Sequence, residues 1–348
     1  MQKCKLCGFP DTRPGLIFEE GICLACINFS KRKKIDWEER ERELSIICDK
    51  YRGSKPYDCL IPVSGGKDSH TLVNVMEENG MHPILFNVAD WFTQTKAGKH
   101  NLDNLCQKHD LVIRKMSRDC FLKATRGAFE ATGEALKLIE YFIYLWPIQY
   151  AQEKGIPLVI FGEDSNFQYG TSMVEKMEAN NQIESMIEKV RSELDWWDSI
   201  GVAKNEIKRA LPEIPIENPK VLWLSYFKPW SSLDNLKVAR NMGFWTLSDT
   251  QEWDRQGVFP GDDFEQVDSL GYLVHLWLKH PKFSFQRVTD IGTRRLREGR
   301  ITREQCDRAI AENDHKIDTK GLKDFCQTLG YSQDQFWAIA NKFKKEIK

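Results

Sequence analysis

Two groups of residues in this sequence have types and spacings suited to chemistry. The first is Ser64-Gly65-Gly66-Lys67-Asp68-Ser69, which directly follows the apolar run Tyr57 to Val63. Two glycines let a turn bring its backbone close to a ligand. The amide hydrogens of such a turn converge with a helix N-terminus on one point, which attracts an anion. Ser64 and Ser69 add hydroxyl donors, Lys67 adds positive charge, and Asp68 offers a carboxylate to a Mg²⁺ ion carried on phosphates. The pattern matches neither G-x4-G-K-[ST] nor G-x-G-x-x-G, so it is neither a Walker A loop nor a dinucleotide fingerprint. The second group is Cys4-x2-Cys7 and, after 15 intervening residues, Cys23-x2-Cys26. Two residues between thiolates turn both sulfurs toward one point, and two such turns make a tetrahedral shell for Zn²⁺. Four ligands leave no open position, so this zinc is expected to fold the first ~30 residues and not to catalyse.

The anion-binding turn needs a strand before it and a helix after it. Tyr57 to Val63 is of strand type, and His70 to Asn79 carries apolar residues at 72, 73, 75 and 76 with Gly80 as a helix stop. Pro83 to Val88, Leu111 to Met116 and Pro157 to Gly162 read as three further strands, with helical stretches between them. This alternation predicts an α/β fold, a parallel sheet with helices on both faces, and places ligands outside the carboxyl ends of its strands. That rim holds Asn87, Val88 and Asp90 after the second strand, and Gly162, Glu163, Asp164 and Asn166 after the fourth. Glu163, Asp164 and Asn166 are candidates for substrate or metal contacts. Asp36-x-x-Glu39 resembles a capping box that opens a helix to about Tyr51. The expected organisation is a knuckle over 1–30, a linker helix over 31–56, and an anion-binding α/β domain over 57–225 with a helical insertion at 173–210. A mostly helical C-terminal region over 226–348 completes the active site.

Composition narrows the function classes. Of 348 residues, 41% are hydrophobic and 29% charged, which excludes a disordered chain. Lys plus Arg is 50 and Asp plus Glu is 51, a net charge of −1, a poor balance for gripping a nucleic-acid backbone. Met1 to Cys7 has no apolar h-region, and the most apolar stretch, 138–151, is too short to span a bilayer and reads as a buried helix. A cytoplasmic enzyme without membrane or nucleic-acid partners is expected. Cations cluster over 282–303, where Arg294 and Arg295 are candidates for anion binding, while Arg297 and Arg303 read as a solvated face. Lys228, beside Trp230 in an aromatic-rich stretch, is a candidate for substrate contact.

SGGKDS placed after a strand resembles the PP-loop of the N-type ATP pyrophosphatase superfamily, whose members have an adenine nucleotide alpha-hydrolase-like fold. These enzymes cleave ATP between the α and β phosphates, adenylate a carbonyl-type oxygen, and let a nitrogen or sulfur nucleophile displace AMP. The resemblance implies ATP and Mg²⁺ as cofactors, with ATP contacts at Ser64 to Ser69, Asn87, Val88, Asp90 and Gly162. It places Lys282 and Arg287 on the departing pyrophosphate, and leaves Arg294 and Arg295 for substrate phosphates or a sugar carboxylate. The knuckle CKLCGFPDTRPGLIFEEGICLAC, the SGGKDS turn, the FGED loop and HPKFSFQRVTDIGTRRLREGRITREQ at 280–305 together extend it to nearly the whole chain. In that combination the sequence is similar to the N-acetyl sugar amidotransferases of bacterial surface-polysaccharide synthesis, the WbpG and PseA type. That similarity implies conversion of an acetamido group on a nucleotide-activated sugar into an acetamidino group, with ammonia from a separate glutaminase and a cyclase-like subunit. The rival is a tRNA-thiolating or tRNA-modifying ligase, since such relatives also carry terminal zinc knuckles. A non-enzymatic nucleotide sensor is the third class, and Asp68 in the turn argues against it.

Overall fold

The computed structural model describes residues 2–53, 56–162, 168, 170 and 178–344. The chain begins with a two-stranded hairpin, β1 (Phe18–Glu19) and β2 (Ile22–Cys23), and the helices α1 (Leu24–Lys31) and α2 (Trp37–Tyr51). Asp36 caps α2 by accepting from the Glu39 amide, so the capping signal marks the start of that helix. Next come β3 (Cys59–Pro62), α3 (Lys67–Glu78), β4 (Pro83–Ala89), α4 (Lys96–Cys106), β5 (Leu111–Lys115), α5 (Arg118–Thr132) and α6 (Lys137–Lys154). β6 (Leu158–Phe161), α7 (Asn180–Ser192) and β7 (Lys220–Trp223) complete the sheet. Its strands are parallel in the order β5-β4-β3-β6-β7. The four expected strands are present within a residue or two of their expected bounds, and β7 is a fifth that the periodicity did not mark.

Alternate residues of each strand enter opposite cores, as the period of two requires. Leu60, Ile84, Phe86, Val159, Phe161 and Val221 join one apolar cluster with α5 and α6. Ile61, Leu85, Leu158, Ile160 and Leu222 join another with α2, α3 and α4. Both faces are therefore covered by helices, which is why the strands read as continuous apolar runs. On the helical insertion, Ile183 and Ile187 are buried in the first cluster, a core face; residues 171–177 lie outside the described residues. No helix among the described residues is long and apolar enough to cross a membrane.

The remainder is mostly helical. It contains α8 (Ser232–Asn241), which packs along α3, then α9 (Arg287–Arg297), α10 (Arg303–Asn313), α11 (Thr319–Leu329) and α12 (Gln333–Asn341). The capping box Thr302/Gln305 opens α10. The last two helices bury Phe325 and Phe336 in the large cluster, so the tail closes the fold. The segment between α8 and α9 is pinned to the sheet where α4 begins. The Thr95 amide donates to Asp268 O at 2.9 Å, and the Thr95 hydroxyl donates to Val267 O. No side chain separates the two segments, because a Cβ on Gly98 would lie 2.5 Å from Val267 O and 2.8 Å from Asp268 O. Gly98→Ala is therefore expected to destabilise by about 1–3 kcal/mol through overpacking, outweighing the ~1 kcal/mol gained in helix propensity. Urea unfolding measures the sign, and a stabilised variant would contradict the close approach.

Candidate functional site

β3 leads straight into the turn, and α3 starts at Lys67. Gly65 has φ of 89°, in the left-handed region, and a Cβ there would meet the Leu102 backbone at 3.1 Å. Only glycine meets both demands. The Ser69 hydroxyl accepts from the Ser64 amide at 3.0 Å, and the Ser64 hydroxyl accepts from the Gly66 amide at 3.3 Å. Both expected donors thus brace the turn with their oxygens.

Lys67 points inward. Its Nζ donates to Asp68 Oδ2 at 3.0 Å and to Glu265 Oε2 at 3.1 Å, with only 5% of the side chain exposed. Glu265 is 1% exposed and also accepts from Arg294 Nη2 at 2.6 Å, Arg287 Nη2 at 3.3 Å and the Ser232 hydroxyl. Burial opposes ionisation of Glu265, but Arg294, Lys67 and Arg287 overcome it and hold the carboxyl well below the usual carboxylate range. Burial likewise opposes the Lys67 ammonium, and Asp68 and Glu265 outweigh it. Asp68 itself is half-exposed and accepts from Asn235 Nδ2 at 2.7 Å, so one oxygen is steered by α8.

Asp68, Glu265, Arg287 and Arg294 of this cluster border a cavity of about 740 Å³ at the carboxyl ends of β3, β4 and β6. Ser64, Asp68, Ser69, Asn87, Val88, Asp90, Gly162, Glu265, Arg287 and Arg294 line it. The Asn87 amide is spent on Val63 O, at 2.7 Å, tying β4 to β3. Arg13 from the cysteine knuckle, Asp268, Ser269 and Tyr272, which carry no sequence signal, line it too, as does Trp230 of the aromatic-rich stretch. Burial pushes the Asp268 carboxyl up to about 7, with Asp90 adding to the rise. Asp90 is raised as well by burial, against the Ser269 hydroxyl that donates to it at 2.6 Å.

Other candidates lie elsewhere. Lys282 pairs with Glu134 at 2.6 Å and does not line the cavity, and Lys228 pairs with Glu41 of α2 at 3.2 Å. Arg295 is buried over the rings of Phe259 and Phe264, away from the cavity. Arg297 is not on a solvated face: it donates to Cys7 Sγ at 3.5 Å and to Gln168 O at 2.7 Å. Glu163, Asp164 and Asn166 lie outside the described residues.

Cys4, Cys7, Cys23 and Cys26 are all buried, with their sulfurs within 4.8 Å of one another, the arrangement of a metal site. The knuckle is fastened to the C-terminal region by Thr12 Oγ1 donating to Phe283 O at 2.5 Å, Arg13 pairing with Asp290 at 2.9 Å, and Phe9 packing edge-on to Phe285.

Residues 259–348 match the family model described as LPS biosynthesis protein WbpG-like, C-terminal domain. This stretch is similar to that domain. It begins just before Glu265 and supplies Glu265, Asp268, Ser269, Tyr272, Arg287 and Arg294 to the cavity, so the WbpG-like domain builds one wall and the SGGKDS turn the other. No curated protein matches the chain. Among solved structures, the U34-tRNA thiolase NcsA from Methanococcus maripaludis with its [4Fe-4S] cluster is similar at 13% identity, covering 86% of this chain and 88% of that one. Its TM-score is 0.28, too distant a likeness to bear on the chemistry.

Proposed function

We propose that the protein is an ATP-dependent amidotransferase of bacterial surface-polysaccharide synthesis. It converts an acetamido group of a nucleotide-linked sugar into an acetamidino group, using ammonia from separate glutaminase and cyclase-like subunits. One observation carries this reading: the SGGKDS turn and the WbpG-like domain share a single cavity and meet in the Lys67–Glu265–Arg287–Arg294 cluster. About 740 Å³ lies in the upper range of ligand pockets, roughly 300–1,000 Å³, and gives room for more than one substrate.

The chemistry fits those groups. An amide carbonyl resists ammonia because its oxygen leaves poorly. Attack of that oxygen on the α phosphorus of ATP expels pyrophosphate and leaves an imidate. Ammonia then adds to the imidate carbon, one proton is lost, and the carbon–oxygen bond to AMP breaks with its electron pair on AMP. No protein nucleophile is needed. The protein must position the reactants and neutralise the departing pyrophosphate, a task for Lys67, Arg287, Arg294 and the turn amides. Mg²⁺ held by Asp68 would add to that neutralisation.

The knuckle is assigned to structural zinc. Tetrahedral thiolates at about 2.3 Å from one ion stand roughly 3.8 Å apart, and here Cys7 and Cys23 are 3.6 Å apart and Cys4 and Cys26 3.9 Å.

The experiment is incubation with Mg-ATP, an ammonium salt and a panel of UDP- and CMP-linked diacetamido sugars. Mass spectrometry should detect replacement of one oxygen by NH, together with AMP and pyrophosphate. AMP that depends on tRNA and not on any sugar would overturn the reading. Lys67→Met is expected to lower sugar-dependent AMP formation by at least ~100-fold while the protein stays folded, because Glu265 keeps Arg294 and Arg287. Full turnover in that variant would remove Lys67 from the chemistry.

A further inference from the structure

A second cavity lies beside the first. It holds about 270 Å³ at the carboxyl end of β5, between the start of α5, the middle of α6 and the short helix Lys204–Lys208 of the insertion. Lys115, the last residue of β5, lines both cavities, so the two adjoin. Ligand pockets span roughly 300–1,000 Å³. The smaller cavity alone therefore falls short of a whole small-molecule site, and it suits one end of a ligand that continues into the larger.

The side cavity is cationic. Arg114, Lys115 and Arg209 line it against one carboxylate, Glu206. Gln149 of α6 fixes two of the cations together: its carbonyl oxygen accepts from Arg114 Nη1 at 2.7 Å, and its amide nitrogen donates to Arg209 O at 2.6 Å. Lys115 Nζ lies 3.8 Å over the Trp91 ring, which is held in place by its own bond to Met116 O. Asp90, whose charge acts on Lys115, spends its oxygens on the Ser269 hydroxyl and the Phe92 amide. Among the described residues neither Lys115 nor the Arg209 guanidinium enters an ion pair. Ser117 caps α5 beside the cavity, so the positive end of a 15-residue helix adds to the field. Phe142 and Trp146, stacked with centroids 4.6 Å apart, supply an aromatic wall. Fixed cations beside aromatic rings suit a phosphate joined to a flat, partly apolar group, which is the chemistry of a nucleoside phosphate. Resting on the amidotransferase reading, we propose that this side cavity binds the carrier nucleotide of the activated sugar, with the sugar reaching past Lys115 toward the SGGKDS turn. The helical insertion then contributes to the choice of substrate through Arg209.

The test uses the full chain and three variants, Arg209→Ala, Arg209→Lys and Lys115→Met, each checked for unchanged melting. Isothermal titration with UDP, CMP and ATP requires no turnover, so it separates the pocket from the reaction. Loss of one charge-assisted contact in Arg209→Ala should weaken UDP or CMP about 10- to 100-fold. ATP should stay within twofold, because Arg209 does not line the larger cavity. Arg209→Lys keeps the charge and loses the fork, so it should recover part of the affinity. Lys115→Met should weaken the same nucleotide. In turnover, KM for the nucleotide sugar should rise by the factor found in titration. Weakened nucleotide binding with no amidine from any sugar would uphold the pocket and refute the reaction. Amidine formed by Arg209→Ala at the wild-type KM would do the reverse. Wild-type protein that binds neither UDP nor CMP, variants that bind them as well as wild type does, or equal weakening of ATP would each overturn the proposal.

Discussion

Glu265→Ala is expected to destabilise the protein by about 3–5 kcal/mol, the cost of removing one partner from a buried ion cluster. The carboxylate is 1% exposed and stands between Lys67, Arg294 and Arg287. Without it three cations face one another in a region with little water to screen them. Urea unfolding would measure the loss as a lower midpoint with an unchanged slope. The cluster also predicts rescue. Pyrophosphate with Mg²⁺ should raise the melting temperature of Glu265→Ala more than that of wild type, because an added anion replaces the missing one and binds only the folded state. A variant as stable as wild type, or one indifferent to pyrophosphate, would show that the cations do not depend on Glu265.

Removal of the metal is the second large effect. Apparent binding energies of about 10–16 kcal/mol for structural zinc in small fingers exceed the whole stability of most domains. Four buried sulfurs within 4.8 Å of one another cannot remain so as free thiolates. Chelation, or Cys23→Ser, is expected to unfold the knuckle and with it to release Thr12, Arg13 and Phe9 from Phe283, Asp290 and Phe285. Melting should therefore fall by more than the loss of a peripheral appendage would cause. Elemental analysis should find one zinc per chain before chelation. A melting curve unchanged by stripping would rule out a structural metal.

Local features were legible in the sequence, and pairings over long distances were not. The turn, the four cysteines and four of the five strands are written in contiguous residues whose spacing states their geometry. β7 is only four residues, KVLW, following the proline-containing run 211–219 and running directly into a short helix, so it offers no period to read. Glu265 and Asp268 sit in the acidic stretch Gly261 to Ser269, where nothing local separates a buried ion partner from a solvated side chain. Lys67 and Glu265 are 198 residues apart, and their contact exists only once the sheet and the C-terminal helices have packed. The cations of 282–303 show the same limit. Helical spacing sets Arg287 and Arg294 two turns apart on one face of α9, where they meet Glu265, but Lys282 lies outside that helix and turns to Glu134. Arg13 carried no signal, because a single arginine in a knuckle loop resembles any surface residue until Asp290 is seen beneath it.

The shared cluster also limits which pieces of this chain can be exchanged. Lys67 comes from the sheet segment and its buried counterion from the WbpG-like domain. A chimera that grafted a different C-terminal module onto this sheet would inherit a buried ammonium left with only the half-exposed Asp68 to meet it, unless the incoming module brought an acid to the same point. The two segments behave as lock and key within one molecule, and recombination between them is tolerated only where both halves of that charge pair travel together.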